Sequence, residues 1–170
     1  MNILMLAATV FIECESFSNP GGWTVDPSSM SEMGSSYLMA HGYGVPVADA
    51  TTAVAVPEKG AYSVYARTRS WNAEWSRVPA GRFGLALDGR RLGGDLGTGG
   101  RDWQWQFAGT RELDAGSHML ALQDLTGFNG RCDAIALTTE PLDELGLEQV
   151  RRVRQSGPVV EGGTFDFILV

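Results

Sequence analysis

The sequence predicts an all-β protein built as an antiparallel β-sandwich, and three observations carry that expectation. Short apolar segments alternate with a period of two residues. Turn signals separate them, and no amphipathic helix interrupts them between residues 12 and 140. The 22 Gly and 7 Pro among 170 residues supply the tight turns that many short strands require. A chain of this length holds one good hydrophobic core and little more.

The strands follow in order. Residues 50–56 (ATTAVAV) alternate small and branched side chains and stop at Pro57, and residues 57–60 (PEKG) read as a turn. Residues 61–68 (AYSVYART) set Tyr62, Val64 and Ala66 on one face. Residues 82–87 (RFGLAL) alternate again, and Asp88-Gly89 signals a hairpin into residues 90–92. In residues 103–107 (WQWQF) the aromatics share one face and the glutamines the other, which predicts at least one of Trp103 and Trp105 in the core. Trp23 suits either core or surface. After a turn at Asp114-Ala115-Gly116, residues 118–123 (HMLALQ) form a strand, and residues 131–138 (RCDAIALT) close the set.

The two ends differ from this pattern. Residues 1–11 are apolar without a basic stretch, and read as a leader or residual signal segment ahead of a sandwich module spanning 12–140. They are too few to cross a membrane. Residues 141–163 form a linker with one short helix over 142–155, weakened by Gly146, followed by a Pro/Gly stretch. Residues 164–170 (TFDFILV) read as the first buried strand of a parallel α/β sheet, with no partner of its own in this chain.

The charge balance narrows the partners. A net charge of −7 argues against a nucleic-acid backbone, and is compatible with neutral sugars, with a bound Ca²⁺ ion or with no particular partner. Cys14 and Cys132 belong to no C-x-x-C or Cys/His cluster, which excludes structural zinc.

Three stretches together resemble a known family. Ile12-Glu13-Cys14-Glu15-Ser16-Phe17 resembles the opening E-x-E strand of family 6 and family 35 carbohydrate-binding modules. Residues 62–69 (YSVYARTR) resemble their central strand, and residues 113–118 with 131–135 resemble their closing hairpin and last strand. The resemblance covers about residues 12–140 and implies a galactose-binding-like jelly roll. Gly21-Gly22-Trp23, residues 37–42, residues 45–50 and Leu125-Thr126-Gly127-Phe128 resemble more closely the leading domain of bacterial FAD-dependent oxidoreductases, some labelled xanthan lyase-like. That resemblance implies a C-terminal flavin domain, with residues 164–170 as its truncated first strand. These 170 residues hold no FAD themselves, because the phosphate-cradling G-x-G-x-x-G loop is missing.

Glu13 and Glu15, two apart on a strand, would project from the same face. Burying both is costly without a cation or donors. Asp133 in the last strand would complete an oxygen cage, and the resemblance implies a structural Ca²⁺ on this E-x-E and late Asp. The other reading sets both glutamates on a solvated face or pairs them with Arg67 or Arg69. A glycosidase carboxylate pair is disfavoured, since it needs a cleft. Cys14 and Cys132 would face away from the carboxylates. If the first and last strands pair as in the family, the sulfurs share the core side, as a disulfide or as two buried thiols.

Sugar recognition needs an aromatic face framed by hydrogen-bonding groups. Trp71 and Trp75 in residues 70–79, with Phe128 and Asn129 in residues 126–130, are the candidates. His41 and His118 have no spaced partner and are expected in turn or core roles, and no Ser-His-Asp or Cys-His arrangement can be argued. The expected function is a non-catalytic carbohydrate-binding or accessory module of a secreted or periplasmic polysaccharide-processing or FAD-dependent enzyme. It would bind a polysaccharide or oligosaccharide, without nucleic acid or membrane. The alternative is an interaction domain that only packs on its flavin partner.

Overall fold

The computed structural model describes residues 8–156 together with 166–167. Among these, β1 (Thr9–Glu13) runs into a 3₁₀ turn at Cys14–Ser16, followed by β2 (Trp23–Asp26), the one-turn helix α1 (Met30–Met33) and β3 (Tyr37–His41). Then come β4 (Ala50–Val56), β5 (Gly60–Thr68), β6 (Phe83–Leu87), β7 (Arg90–Arg91), β8 (Gln104–Leu113), β9 (Gly116–Asp124) and β10 (Phe128–Thr138). Helix α2 (Glu144–Ser156) and the two-residue β11 (Asp166–Phe167) complete the described elements.

All the pairings are antiparallel. One sheet runs β4-β9-β6-β7. The other is organised around β10, the longest strand. One edge of β10 pairs with β5, which pairs in turn with β8. Its other edge is shared, the beginning with β3 and the end with β1. The expected pairing of first and last strands is present, with Ile12 opposite Ile135 and Glu13 opposite Ala134.

The core lies between the sheets. Val10, Ile12, Leu38, Val64, Ile135 and Leu137 of the larger sheet meet Val54, Phe83, Leu85, Leu120 and Leu122 of the smaller. Trp23 belongs to this core, edge-on to Phe83 with ring centroids 5.7 Å apart. The larger sheet is covered on its other face too. Phe11, Tyr65, Trp105, Ala134 and Ala136 pack there against Leu147 and Val150 of α2. That double coverage explains why β1 and the end of β10 read as nearly continuous apolar runs. The small side chains Ala134 and Ala136 let the helix lie close to the sheet.

The structure changes several expectations. Residues 9–11, assigned to the leader, are strand, and Val10 and Phe11 are buried; residues 1–7 lie outside the described residues. Strands β2 and β3 and helix α1 were not predicted, because residues 23–41 mix Gly, Ser and Met without a clean period. Both Trp103 and Trp105 are buried, whereas Phe107, on the same expected face, is exposed. The linker helix exists and is part of the fold, despite Gly146, because its apolar stripe is needed to cover the sheet. Of the expected strand 164–170, Asp166 and Phe167 pair with β1 as an edge strand; its remaining residues lie outside the described ones.

Candidate functional site

Three loops meet at the start of β10. Residues 42–49 join β3 to β4, residues 69–82 join β5 to β6, and residues 125–127 join β9 to β10. Their packing is set by backbone and buried polar groups. The Asp124 carboxylate, buried at the end of β9, accepts from the Gly127, Thr126 and Val47 N–H groups at 2.9–3.1 Å. The Gly127 carbonyl accepts from Gly42 and Gly44 N–H at 3.0 and 3.2 Å. Gly127 itself has φ +68°, and a Cβ there would stand 2.4 Å from the Val45 backbone, so only glycine permits this approach. In the long loop, buried Asn72 donates to the Val78 carbonyl at 2.8 Å and accepts from Ala80 N–H at 3.0 Å.

The four sequence-predicted sugar-site residues converge here, with unequal roles. Trp71 donates through Nε1 to the Phe128 carbonyl at 2.9 Å. The Arg131 guanidinium sits 5.7 Å from its ring centroid, and Trp75 meets it at 5.8 Å with planes 66° apart. Trp71 is therefore a buttress. Trp75, 66% exposed, and Phe128, 50% exposed, are the rings open to solvent. Asn129 occupies a register shift in the β10–β3 pairing with φ +56°, a conformation that asparagine tolerates. Such a bulge re-aims a side chain at the strand end.

Sequence reasoning missed three contributors. His41 was expected in a turn or core role; it is exposed at the end of β3, and its Nδ1 hydrogen-bonds the Asn129 Oδ1. Tyr43 stacks edge-on to His41 at 4.3 Å, is 84% exposed and has φ +52°. A bulky side chain rarely adopts that backbone, and such strain concentrates at functional sites. Arg131 backs Trp71. The signal available in sequence was Tyr43-Gly44, an exposed aromatic in a glycine-flanked turn, but joining it to Asn129 required the β3–β10 pairing.

The acidic candidates lie about 13 Å further along β10, four residues on from Asn129. The two glutamates do not share a strand face as their spacing predicts. Glu13 ends β1, but Glu15 is in the 3₁₀ turn, so the two are not alternate residues of one strand. Asp133 is fully buried at a second register shift of β10, against β5. Its Oδ2 accepts from Arg67 Nη1 at 2.8 Å and its Oδ1 from the Ser35 hydroxyl at 3.1 Å. Arg67 continues to Glu148 of α2 at 2.7 Å, and Arg151 closes on the same carboxylate at 3.0 Å. Burial raises the Glu148 carboxyl, but Arg67 and Arg151 outweigh it and hold it below its usual value. Arg69 reaches Glu32 at 3.9 Å.

Glu15 is different. Its Oε2 is buried without a hydrogen-bond partner among the described residues. Burial first, and then the nearby Asp133 charge, push its carboxyl up to about 7. A cation would suit that carboxylate. No three His, Cys, Asp or Glu side chains among the described residues are gathered as a metal shell, however, and Asp133 is engaged by Arg67. On the core side, Cys14 and Cys132 are buried free thiols with Sγ atoms 3.4 Å apart.

No protein-family profile and no curated protein matches the chain. Solved structures do. A family 35 carbohydrate-binding module from Clostridium thermocellum aligns with a TM-score of 0.58 and 15% identity, over 76% of this chain and 96% of that one. The fold is that of family 6 and family 35 carbohydrate-binding modules. Module CBM6cm-2 of Cellvibrio mixtus lichenase 5A, solved with cellotriose, gives 0.55 and 19% over 81% of this chain and all of its own. The Podospora anserina GH26-CBM35 β-(1,4)-mannanase gives 0.60 and 19% over 80% of this chain, which spans only 29% of the mannanase. The jelly-roll sandwich expected from sequence is thus present. The likeness to flavin oxidoreductases rests on sequence alone.

Proposed function

We propose that the chain is a non-catalytic carbohydrate-binding module that holds a polysaccharide or oligosaccharide at the loop cluster around the start of β10. The observation that carries this reading is that three exposed rings, Tyr43, Trp75 and Phe128, lie on the loops that meet at the start of β10, where His41 and Asn129 form a polar pair. Apolar faces framed by oriented amide and imidazole groups match the alternating CH and OH faces of a pyranose. The loops that carry the rings are tied by backbone, Asp124 and Asn72 hydrogen bonds, which lowers the ordering that binding requires. That the similar structures are carbohydrate-binding modules supports the reading. Export, as a secreted or periplasmic accessory unit of a larger enzyme, follows from it; no described helix is long and apolar enough to cross a membrane.

A structural Ca²⁺ at Glu15, with Glu13 and Asp133, belongs to the same proposal and is supported by the buried, partnerless Glu15 Oε2. Asp133 would then have to share its carboxylate with Arg67. The ion would neutralise the buried Glu15 oxygen and hold the 3₁₀ turn onto β10.

Tryptophan fluorescence during titration with a panel of plant and microbial polysaccharides tests the sugar reading. Saturable quenching in the wild type, weakened in Trp75→Ala, is expected. A flat titration across the panel would overturn it and favour the competing reading, a domain that only packs on a flavin-binding partner.

A further inference from the structure

We propose that Cys14 and Cys132 form a folding-dependent disulfide clasp, closed while the chain folds in the presence of a disulfide oxidant and inaccessible once the core has formed. The sulfurs are 3.4 Å apart, on segments 118 residues distant in sequence. The register places them there. Ile12 opposite Ile135 and Glu13 opposite Ala134 carry the chain into the 3₁₀ turn just where Cys132 enters the core. Both side chains point between the sheets, and both residues have no solvent exposure.

Closing the bond needs an approach of only about 1.4 Å between the sulfurs. Neither strand has to change partner for that approach. A bond between such distant residues removes much of the disorder of the unfolded chain. The same burial governs when it can form. Thiol–disulfide exchange requires a third sulfur to approach in line, and a fully buried thiol gives it no path. In the partly folded chain the path is open. Cys14 attacks the oxidant disulfide, forming a mixed disulfide and releasing one small thiol. Cys132 then attacks the Cys14 sulfur and expels the second. Both cysteine protons end on the two released thiols, and the oxidant is reduced as the cysteines are oxidised.

The experiment refolds the full reduced chain from denaturant with a reduced and oxidised glutathione couple, and in parallel exposes the folded reduced chain to the same couple. Oxidative refolding should give an intact mass short of two hydrogens, no thiol titratable in denaturant, and a Tm raised by roughly 10 °C over the reduced protein. The folded chain should keep both thiols. Two titratable thiols after oxidative refolding would overturn the proposal, as would a bonded form that melts below the reduced one. Oxidation of the folded chain as fast as the unfolded one would also overturn it. Cys132→Ala should lose the oxidant-dependent difference, but the wild-type comparison stands whether or not that variant folds.

Discussion

Trp71 Nε1 donates to the backbone carbonyl of Phe128 at 2.9 Å, tying the long β5–β6 loop to the first residue of β10. The bond separates support from contact. Trp71 is occupied by Phe128, Arg131 and Trp75, whereas Trp75 and Phe128 offer free ring surface. Trp75→Ala or Phe128→Ala should weaken glycan binding by about 10- to 100-fold, the loss of one buried aromatic contact. Trp71→Phe keeps a ring but removes the donor, and should weaken it by only about fivefold. Calorimetric titration of the glycan that quenches the wild type checks the order. Equal losses in Trp71→Phe and Trp75→Ala would show that the buttress assignment is wrong.

Asp133 and Arg67 give a stability prediction of a different size. Both are buried, and Arg67 joins β10 to α2 through Glu148. Removing one member leaves the other charge unpaired in a low-dielectric setting, so Arg67→Ala should cost about 3–5 kcal/mol. The double variant Arg67→Met with Asp133→Leu should recover much of that loss, because an apolar pair carries no desolvation penalty. Urea unfolding of the wild type, Arg67→Met, Asp133→Leu and the double variant measures the coupling. Strict additivity of the two single substitutions would contradict a direct interaction.

Much of the sandwich was legible in the sequence because period-two patterning reports which strand faces are buried. Strands β4, β5, β6 and β9 were found that way, and the Asp88-Gly89 turn was read from its dipeptide. The patterning fails where a strand is covered on both faces, as at β1, or where it leaves its period. Glu15 shows the second case, since a 3₁₀ turn puts it where alternation does not. The four candidate residues for sugar contact follow from residue type and loop position, and the fold brings them together. His41 was missed because its partner, Asn129, is 88 residues away. No local spacing encodes a contact made by strand pairing.

The Glu15 carboxylate makes cation dependence measurable. If Ca²⁺ neutralises it, EDTA should lower the Tm near neutral pH and added Ca²⁺ should restore it. Glu15→Gln removes the buried charge at nearly constant shape, so it should melt above the wild type in EDTA and respond less to Ca²⁺. An identical melting curve for the wild type with EDTA and with Ca²⁺ would mean that no ion binds. Glu15 would then carry its burial penalty alone.

His118 supplies the pH dependence. Its Nδ1 faces Asp88 Oδ2 at 2.7 Å and its Nε2 faces the Asp114 carbonyl at 2.8 Å. Both neighbours are acceptors, so only the imidazolium, with two N–H donors, satisfies both. The hydrogen bonds that His118 donates to Asp88 and to the Asp114 carbonyl raise the histidine above its usual 6.5. In return His118 holds Asp88 below its usual 3.8. A histidine raised on folding contributes stability that is complete below its unfolded pKa and is lost as pH climbs through the folded value. The lowered Asp88 contributes above its unfolded pKa and loses that as pH falls. The tie between the β6–β7 and β8–β9 turns should therefore be strongest from about pH 5 to about pH 6.5. The Tm gap between wild type and His118→Gln should be widest there and should narrow by about pH 9. Melting curves of both chains across that range test it, and a gap that stays constant with pH would show that His118 acts by packing rather than by charge.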